Sequence, residues 1–460
     1  MTLAPPDSSA TSRGPLGEAL SVVVLRPTGN GRPQKGRPPE PPLAALTLAA
    51  WLREAPGSPV AEDLSVVDAA LEGWNLDQTC EQLVACAPDV AIVHGENAGS
   101  AHLEALFRAL SDRLPEVVGV LVAGHASELD QAALDLVGLR FAVHGDPERP
   151  LTELLEGLVT GRRSYAGVPG LDWRDARGHM RRQEALPPSE YLPATPAPAW
   201  DLVDLERYAG RGKNRWASLV TSRACPPGCP ACRNAYGRVF RVRELGEVLA
   251  ELRSLVADRD VRTVRLADEV FNHDLPRAKA FLRGFLREAP LANLELPYGL
   301  RPDRIDPEFA ELLFRCGVRS CTIVVDSAAP TVQRALRHNL DLALASAGIA
   351  NLARAGLLVR GQFSLGWVGE TDEERAATAR FARRSNLHLA RFQVASGKQQ
   401  SALDASMEVA LEGLGAAHRA TRLASLAFWA HPKRLASFSR WALRRIWSKL
   451  PQAKVASLPA

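Results

Sequence analysis

The chain has 460 residues, of which 46% are apolar and 23% charged, and a formal net charge of +4. This composition is typical of a soluble globular protein and excludes a disordered or fibrous chain, while the length predicts two or three domains. The small net charge gives no argument for nucleic acid as a partner. Residues 1–17 lack a signal-peptide pattern and no apolar stretch is long enough to span a bilayer, so we expect a cytoplasmic protein with a disordered N-terminus.

Region 18–160 alternates short apolar runs with segments of helical periodicity. The pattern predicts strands and helices in alternation, with strands at 21–25, 64–68, 89–93, 117–122 and 141–144 and helices at 43–52, 78–87, 101–113 and 150–159. Such alternation predicts an α/β domain with a doubly wound, Rossmann-like parallel sheet, whose ligands bind beyond the carboxyl ends of the strands. The candidate positions at those ends are Pro27, His94–Asn97, Gly124, His125, Gly145 and Asp146.

These strand ends lack a dinucleotide fingerprint, since none is followed by Gly-x-Gly-x-x-Gly. His94, His125 and His144 are weak candidate ligands, because a lone histidine at a strand end is more often a loop or packing residue.

Residues 161–213 carry proline clusters and little periodicity, and predict an extended linker packed across the domains. From residue 214 to 400 a second series predicts βα units, with strands at 216–220, 261–268, 294–296, 320–326, 359–366 and 390–394 and helices at 244–256, 276–288, 307–316, 342–355 and 373–385. Repeated βα units predict a partial barrel whose active face is the carboxyl end of its strands. Region 401–460 predicts helices that cap the barrel, although its basic and aromatic residues leave a membrane surface or nucleic acid as an alternative.

Three cysteines, Cys225, Cys229 and Cys232, lie in a Pro/Gly-rich loop directly after the strand at 216–220. Thiolates are the ligands of four-iron clusters, and a loop that supplies only three leaves one iron open to a substrate or cofactor. Structural zinc is the alternative, but zinc prefers four closed ligands and no second Cys-x-x-Cys pair exists here. Unligated loop cysteines are a further alternative. The other cysteines lie in apolar segments and are predicted to be core residues, namely Cys80, Cys86, Cys316 and Cys321.

The cysteine loop and its surroundings resemble the radical S-adenosylmethionine (SAM) superfamily, in the branch with an N-terminal cobalamin-binding-type domain. The resemblance covers about residues 20–400 and is carried by these motifs: Thr221–Cys232 with Tyr236-Gly-Arg and Arg241, Pro196–Leu202, and the segments 266–271, 301–303, 325–328 and 365–371. It implies a partial (βα)6 barrel and a [4Fe-4S] cluster on Cys225, Cys229 and Cys232. It also implies that one electron from this cluster cleaves SAM to a 5′-deoxyadenosyl radical.

The resemblance further implies that SAM is bound by residues at the strand ends, namely Asp268, Arg301, Asp326, Ser327, Gly366 and Gly369. An aspartate would accept from the SAM ammonium group, the arginine would pair with its carboxylate, and the glycines would let the backbone approach the adenosine. Simpler alternatives stay open, because the aspartates could cap helices, the arginine could form a surface ion pair, and Glu370-Thr371 could only begin a helix.

The sequence departs from the family pattern in three places. Ala231 replaces an aromatic residue before the third cysteine, Asp326-Ser327 replaces a Glu-Ser pair, and the N-terminal domain lacks Asp-x-His-x-x-Gly and carries His94-Gly-Glu96 at its crevice. Relatives hold cobalamin without that histidine, but the crevice residues argue against cobalamin here.

We therefore favour a lyase-type enzyme whose deoxyadenosyl radical abstracts hydrogen from a small polar metabolite, such as an aminoglycoside-like sugar intermediate, and causes dehydration, deoxygenation or rearrangement. The alternative is a cobalamin-dependent C-methyltransferase of natural-product biosynthesis, and a cluster-bearing regulator is a third hypothesis. Expected partners are a small-molecule substrate and an electron donor such as flavodoxin or ferredoxin, with a reductase as a further partner.

Overall fold

The computed structural model describes residues 19–395 except for 30–39, 96–98, 124–135, 137, 185–191, 193–194, 210–214, 228 and 230–235, and except for the side chains of residues 61 and 62. The chain divides into two compact units, residues 1–269 and 270–460. The interpretations made for His125, Ala231, Cys232 and the regions 1–17 and 401–460 lie outside the described residues. Among the helices that the structure describes, none is long and apolar enough to cross a membrane.

The first unit begins with a sheet of seven strands, β1 (Leu20–Arg26), β2 (Val60–Asp68), β3 (Val90–His94), β4 (Val118–Ala123), β5 (Phe141–His144), β6 (Leu171–Arg174) and β7 (Met180–Arg181). Their spatial order is β2-β1-β3-β4-β5-β6-β7. The first five are parallel, and β6 and β7 are added antiparallel. The order 2-1-3-4-5 is the flavodoxin-like doubly wound arrangement, in which ligands bind at the carboxyl ends of the strands, beside β1 and β3.

Helices cover both faces of this sheet, as α1 (Leu43–Glu54), α2 (Ala69–Glu72), α3 (Leu76–Cys86), α4 (Ser100–Arg113) and α5 (Glu148–Val159). On one face Leu20, Val22 and Val24 of β1 pack with α1 and α5. On the other face Val23 and Leu25 pack with α3 and α4. Because both faces are buried, the central strands β1, β3 and β4 are largely apolar runs. The sequence predicted all five parallel strands, but β2 begins at Val60 rather than at residue 64.

Strands β6 and β7 fall inside the segment 161–213 that the sequence predicts as a linker. Buried Asp172 of β6 accepts a hydrogen bond from the backbone N–H of Gln183 at 2.9 Å. His144 is the last residue of β5, and its Nε2 atom lies 3.1 Å from the carbonyl oxygen of Gln183. The imidazole ring therefore packs against the segment that carries the added strands. The strands are short and lack a regular apolar alternation, which is why the sequence pattern did not indicate them.

The first unit continues with a 3₁₀ turn at Trp200–Leu202 and with α6 (Leu205–Ala209), β8 (Trp216–Leu219), β9 (Ser222–Arg223), β10 (Arg241–Val242), α7 (Leu245–Ala257) and β11 (Thr263–Leu266). Strands β8 and β11 are parallel. Strands β9 and β10 pair antiparallel and form a hairpin whose loop contains the three cysteines.

The second unit contains α8 (Leu275–Glu288), β12 (Asn293–Glu295), a 3₁₀ turn at Pro302–Arg304, α9 (Pro307–Arg315), β13 (Ser320–Asp326), α10 (Pro330–Ala335), α11 (Leu342–Ala355), β14 (Leu358–Leu365), α12 (Asp372–Arg384) and β15 (Leu389–Val394). Strands β13, β14 and β15 form a parallel sheet in that order. Four of these helices begin at a capping residue whose side chain accepts a hydrogen bond from a backbone N–H group, namely Asp274, Asp306, Asp341 and Thr371. The predicted α/β class, with a doubly wound domain followed by βα units, is confirmed.

Candidate active site

The cysteine loop lies between β9 and β10, where Cys225 and Cys229 are half-buried. The Arg238 guanidinium donates to two carbonyls of this loop, to Cys229 at 3.2 Å and to Pro227 in a close contact. A side chain beyond the cysteines therefore fixes the backbone between them. Cys232, the third cysteine of the loop, lies outside the described residues.

The other cysteines are separate from this loop. Cys80, Cys316 and Cys321 are buried, and Cys86 is half-buried. Burial raises the pKa of the Cys80 thiol and raises the pKa of Cys316 and of Cys321 to about 12. Thiols of this kind stay protonated at neutral pH and are poor metal ligands. The prediction that these are core residues is confirmed for the three buried ones.

Asp268 lies two residues beyond β11, and 2% of its surface is exposed. Its carboxylate accepts from Thr221 N at 2.7 Å, from Thr221 Oγ1 at 2.6 Å and from Ser222 Oγ at 2.6 Å. Burial raises the pKa of Asp268, and the hydrogen bonds from Ser222 and Thr221 act in the opposite direction. The next helix is capped by Asp274, so Asp268 is not a helix cap. Instead it holds the two residues that lead into the cysteine hairpin.

Four charged side chains surround the base of the hairpin, and we call them the arginine–carboxylate network: Asp146, Glu148, Arg223 and Arg241. Arg223 Nη2 lies 2.6 Å from Glu148 Oε1, and its Nη1 lies 3.2 Å from Asp146 Oδ1. Arg241 makes a close ion pair with the other oxygen of Asp146. The sequence indicated Asp146 as a crevice position and Arg241 as part of a motif, but it gave no signal that they meet.

The carboxyl ends of β1 and β2 are bridged by the protein's own side chains. Arg26 donates through Nε and Nη2 to both oxygens of Asp68 at 2.8 and 2.6 Å, and Tyr208 Oη donates to the same carboxylate at 2.7 Å. Burial and the Asp68 charge raise the pKa of the Tyr208 phenol. At the end of β3, His94 is buried with 8% of its surface exposed. Side chains of the protein therefore occupy part of the predicted crevice.

In the second unit, Arg301 lies directly before a 3₁₀ turn and is engaged within the protein. Its Nε and Nη2 donate to the two oxygens of Asp303 at 3.0 and 2.7 Å. Its guanidinium also donates to the carbonyls of His338 at 3.2 Å and Asn339 at 3.4 Å. Arg301 is therefore in an ion pair, but its side chain is only 12% exposed and does not form the surface pair that the sequence left open. The arginine also fixes the segment around His338.

Asp326 ends β13 with a left-handed backbone (φ 57°), and 22% of its side chain is exposed. Its Oδ1 accepts from Ser364 Oγ at 2.8 Å, and its Oδ2 lies 3.6 Å from His338 Nδ1. Burial lowers the pKa of His338, and the Asp326 charge acts against this shift. His338 was missed in the sequence because it is a single histidine outside any recognisable motif. The structure thus places Arg301 at the backbone carbonyl of His338 and Asp326 beside its imidazole ring.

Ser327, which follows Asp326, is fully buried. Its hydroxyl lies 3.2 Å from Thr378 Oγ1 and accepts from the Ala329 N–H at 3.1 Å. Ser327 therefore contacts the protein on both sides and stabilises the start of α10.

Gly366 and Gly369 follow β14, and both have a left-handed backbone, with φ of 86° and 79°. Glu370 accepts from Gly366 N at 2.6 Å and from Trp367 N at 3.3 Å. No described atom lies within 4 Å of the place where a Cβ on Gly369 would stand, so the loop is open there. Thr371 begins α12 with a capping box, as one alternative predicted.

The comparisons with known proteins agree with this organisation. Residues 219–382 match the model of the Radical SAM superfamily. The chain is 22% identical over 380 residues to an uncharacterized methyltransferase of Pyrococcus horikoshii. This alignment covers 82% of the chain and 80% of the relative. Enzymes of this superfamily use a [4Fe-4S] cluster and SAM.

Two solved structures share the fold across both domains. The radical SAM methyltransferase TsrM of Kitasatospora setae, with tryptophan and a SAM analogue bound, has a TM-score of 0.66 at 21% identity and covers 81% of this chain and 73% of its own. The cobalamin-dependent SAM radical enzyme OxsB has a TM-score of 0.66 at 16% identity, and the match covers 96% of this chain but 63% of OxsB. Residues 219–382 therefore match the radical SAM model, and the fold shared with both solved structures extends into the region before this match.

Proposed function

We propose that the chain is a cobalamin-dependent radical SAM methyltransferase that acts on a small molecule. The observation that carries this proposal is the shared fold with TsrM, which extends through the N-terminal domain and the radical SAM domain alike. The methyltransferase name of the Pyrococcus relative supports the same reaction. Methyl transfer is therefore favoured over the dehydration that the sequence suggested first.

The cluster ligands in this proposal are Cys225, Cys229 and Cys232. The donor set fits, because two of these thiols are half-buried in a loop whose backbone is held by Arg238, and thiolates are the preferred ligands of iron–sulfur clusters. When bound, the cluster supplies the electron that cleaves the SAM sulfonium, and cobalamin supplies a methyl carrier. A flavodoxin or ferredoxin is the proposed electron donor, with a reductase as a further partner.

The strand-end residues divide into two groups in this proposal. Asp326, Gly366 and Gly369 would contact SAM, because the carboxylate is partly exposed and the glycine loop is open. Asp268 and Arg301 would act indirectly, since their polar atoms are engaged with neighbouring protein groups. Ser327, which is fully buried and bonded within the fold, belongs with this second group.

A second function is favoured by one observation, the Arg26–Asp68–Tyr208 group at the ends of β1 and β2. These side chains occupy part of the edge where a doubly wound sheet binds its ligand. If they exclude cobalamin, the radical derived from SAM would act directly on the substrate and cause dehydration or rearrangement.

Anaerobic reconstitution with and without hydroxocobalamin separates the two functions. Methyl transfer predicts that about one cobalamin per chain is retained after desalting, read from its visible absorbance. Cys229→Ala is the matched control, because it should lose the cluster and keep the cobalamin. Cleavage of SAM to 5′-deoxyadenosine by a protein that retains no cobalamin would contradict the methyltransferase proposal and support direct radical chemistry.

A further inference from the structure

The arginine–carboxylate network joins the N-terminal sheet to both strands of the cysteine hairpin. Asp146 and Glu148 lie at the carboxyl end of β5 and the start of α5. Arg223 lies on β9, two residues before Cys225, and Arg241 lies on β10, after the last cysteine. Asp146 contacts both arginines, so a single carboxylate bridges the two strands of the hairpin.

The segment that returns from the cysteines is bound by the same arginines. The Arg223 guanidinium lies 4.8 Å from the centre of the Tyr236 ring, and Arg241 Nη2 donates to the Tyr236 carbonyl at 3.2 Å. Contacts between a cation and an aromatic face are attractive at this distance. The chain is therefore held on both sides of the cysteines, at Arg223 before them and at Tyr236 after them.

The network is too buried to be explained as a surface ion pair. Side-chain exposure is 9% for Arg223, 2% for Arg241 and 6% for Glu148, with 31% for Asp146. Removing such charges from water costs about as much as their attraction returns, so a buried ion pair contributes little net stability. A buried ion pair instead fixes geometry. Any arrangement that separates the partners leaves an uncompensated buried charge, so few other side-chain positions are possible.

We propose that Arg223 and Arg241, held by Asp146 and Glu148, are positioning residues that set the place and the electrostatic surroundings of the cluster on the cysteine loop. The N-terminal domain thereby acts on the cluster through its own carboxylates. This inference rests on the cluster ligands of the proposed function, and it is independent of whether the reaction is methyl transfer.

The signs of the charges give the proposal a distinctive consequence. A reduced cluster carries one more negative charge than an oxidised one, so a nearby positive charge favours reduction and a negative charge opposes it. Neutralising a carboxylate of the network should raise the midpoint potential. Neutralising Arg223 should lower it. A purely structural role would make both changes act in the same direction, since both break the same ion pair.

The test compares Glu148→Gln and Arg223→Gln in the anaerobically reconstituted full-length protein, with the reduced fraction followed by electron paramagnetic resonance during a reductive titration. We expect a positive shift of the midpoint potential for Glu148→Gln and a negative shift for Arg223→Gln. If Arg223→Gln does not fold, Asp146→Asn takes its place, and it should shift the potential positively together with Glu148→Gln.

The control is a second ion pair of the first unit, between Arg207 and Glu72, whose atoms lie 2.6 Å apart at partly exposed positions on α6 and α2. Arg207→Gln should leave the potential unchanged. Shifts of one sign in Glu148→Gln and Arg223→Gln, or no positive shift in Glu148→Gln and Asp146→Asn, would overturn the inference while the cluster itself is intact. A wild-type protein that takes up no cluster would overturn the proposed function as well.

Discussion

Two strands of the second βα series have an aspartate at or just beyond their carboxyl end, and the two carboxylates have opposite environments. Asp268, beyond β11, is 2% exposed and accepts three hydrogen bonds from Thr221 and Ser222. Asp326, at the end of β13, keeps 22% of its side chain exposed and accepts one hydrogen bond, from Ser364, beside His338. A carboxylate near a strand end is therefore enclosed by the protein in one case and partly exposed in the other.

The two carboxylates differ in their hydrogen-bond donors and in the conformation of their backbone. Asp268 meets a backbone N–H and two hydroxyls from the segment that leads into the cysteine loop, which together replace its hydration. Asp326 has a left-handed backbone, which is uncommon outside glycine and concentrates at functional sites. We infer that mutation of Asp268 disrupts the loop, whereas mutation of Asp326 affects ligand binding.

The largest effect is expected for Asp268→Ala. Three buried donors would lose their acceptor, so the free energy of unfolding should fall by about 3–5 kcal/mol, measured by urea denaturation of the apoprotein. Iron content after reconstitution should also drop, because Thr221 and Ser222 would no longer fix the start of the cysteine hairpin.

The matched control for Asp268→Ala is Asp201→Ala, which removes an exposed carboxylate paired with Arg53 at 2.8 Å. Exposed pairs contribute little, so a loss below about 1 kcal/mol is expected. Equal losses in both variants would contradict the structural role of Asp268.

Asp326→Asn should have an intermediate effect, and it should change the affinity for SAM more than the stability of the fold. The free energy of unfolding should change by less than about 1 kcal/mol, because one partly exposed hydrogen bond is weakened. The dissociation constant for SAM, measured by calorimetry with the reconstituted protein, should rise roughly tenfold if this carboxylate accepts from the SAM ammonium.

Asp341→Asn is the control for Asp326→Asn. The Asp341 side chain caps α11 by accepting from backbone N–H groups, and asparagine caps equally well, so stability and SAM affinity should both stay unchanged. Unchanged SAM affinity in Asp326→Asn would assign Asp326 to the fold, in the same class as Asp268.

The smallest effect is expected for His338→Gln and depends on pH. Burial, reinforced by the Arg301 charge and opposed by Asp326 and Asp303, lowers the pKa of His338 from the ordinary value of 6.5. The unfolded chain then binds a proton more readily than the folded one, so stability is lost as the pH falls below 6.5. His338→Gln should therefore lose less stability than the wild-type protein as the pH falls below 6.5.

Urea denaturation of both proteins between pH 7.5 and about 5 measures the difference between their pH profiles. Identical pH profiles would show that the ring titrates alike in the folded and unfolded chain. That result would contradict the burial of the His338 ring, which is the main cause of its lowered pKa.

The elements of the fold could be predicted because their signals are local. Strands such as β3 and β13 are apolar runs of ordinary strand length, and α11 was placed at its observed bounds, Leu342–Ala355. Strands β6 and β7 were missed because the pairing of β6 with β5 and of β7 with β6 depends on tertiary contact rather than on composition.

The sequence predicted which residue types form the candidate site, but it did not predict which of these side chains contact one another. Arg223 and Asp146 are 77 residues apart in the chain, and no local pattern indicates that they pair. Asp268 and Asp326 follow similar apolar runs, so only their observed hydrogen bonds distinguish them. The cysteine spacing was informative because the chemistry of cluster ligation requires several thiolates in one short segment.

The proposed cluster on the cysteine loop is tested most directly by electron paramagnetic resonance of the reduced, anaerobically reconstituted protein before and after SAM is added. We predict about four irons per chain and a cluster signal that changes with SAM, and the loss of both in Cys229→Ala. A wild-type signal that does not respond to SAM, or an unchanged signal in Cys229→Ala, would contradict the assignment of this loop.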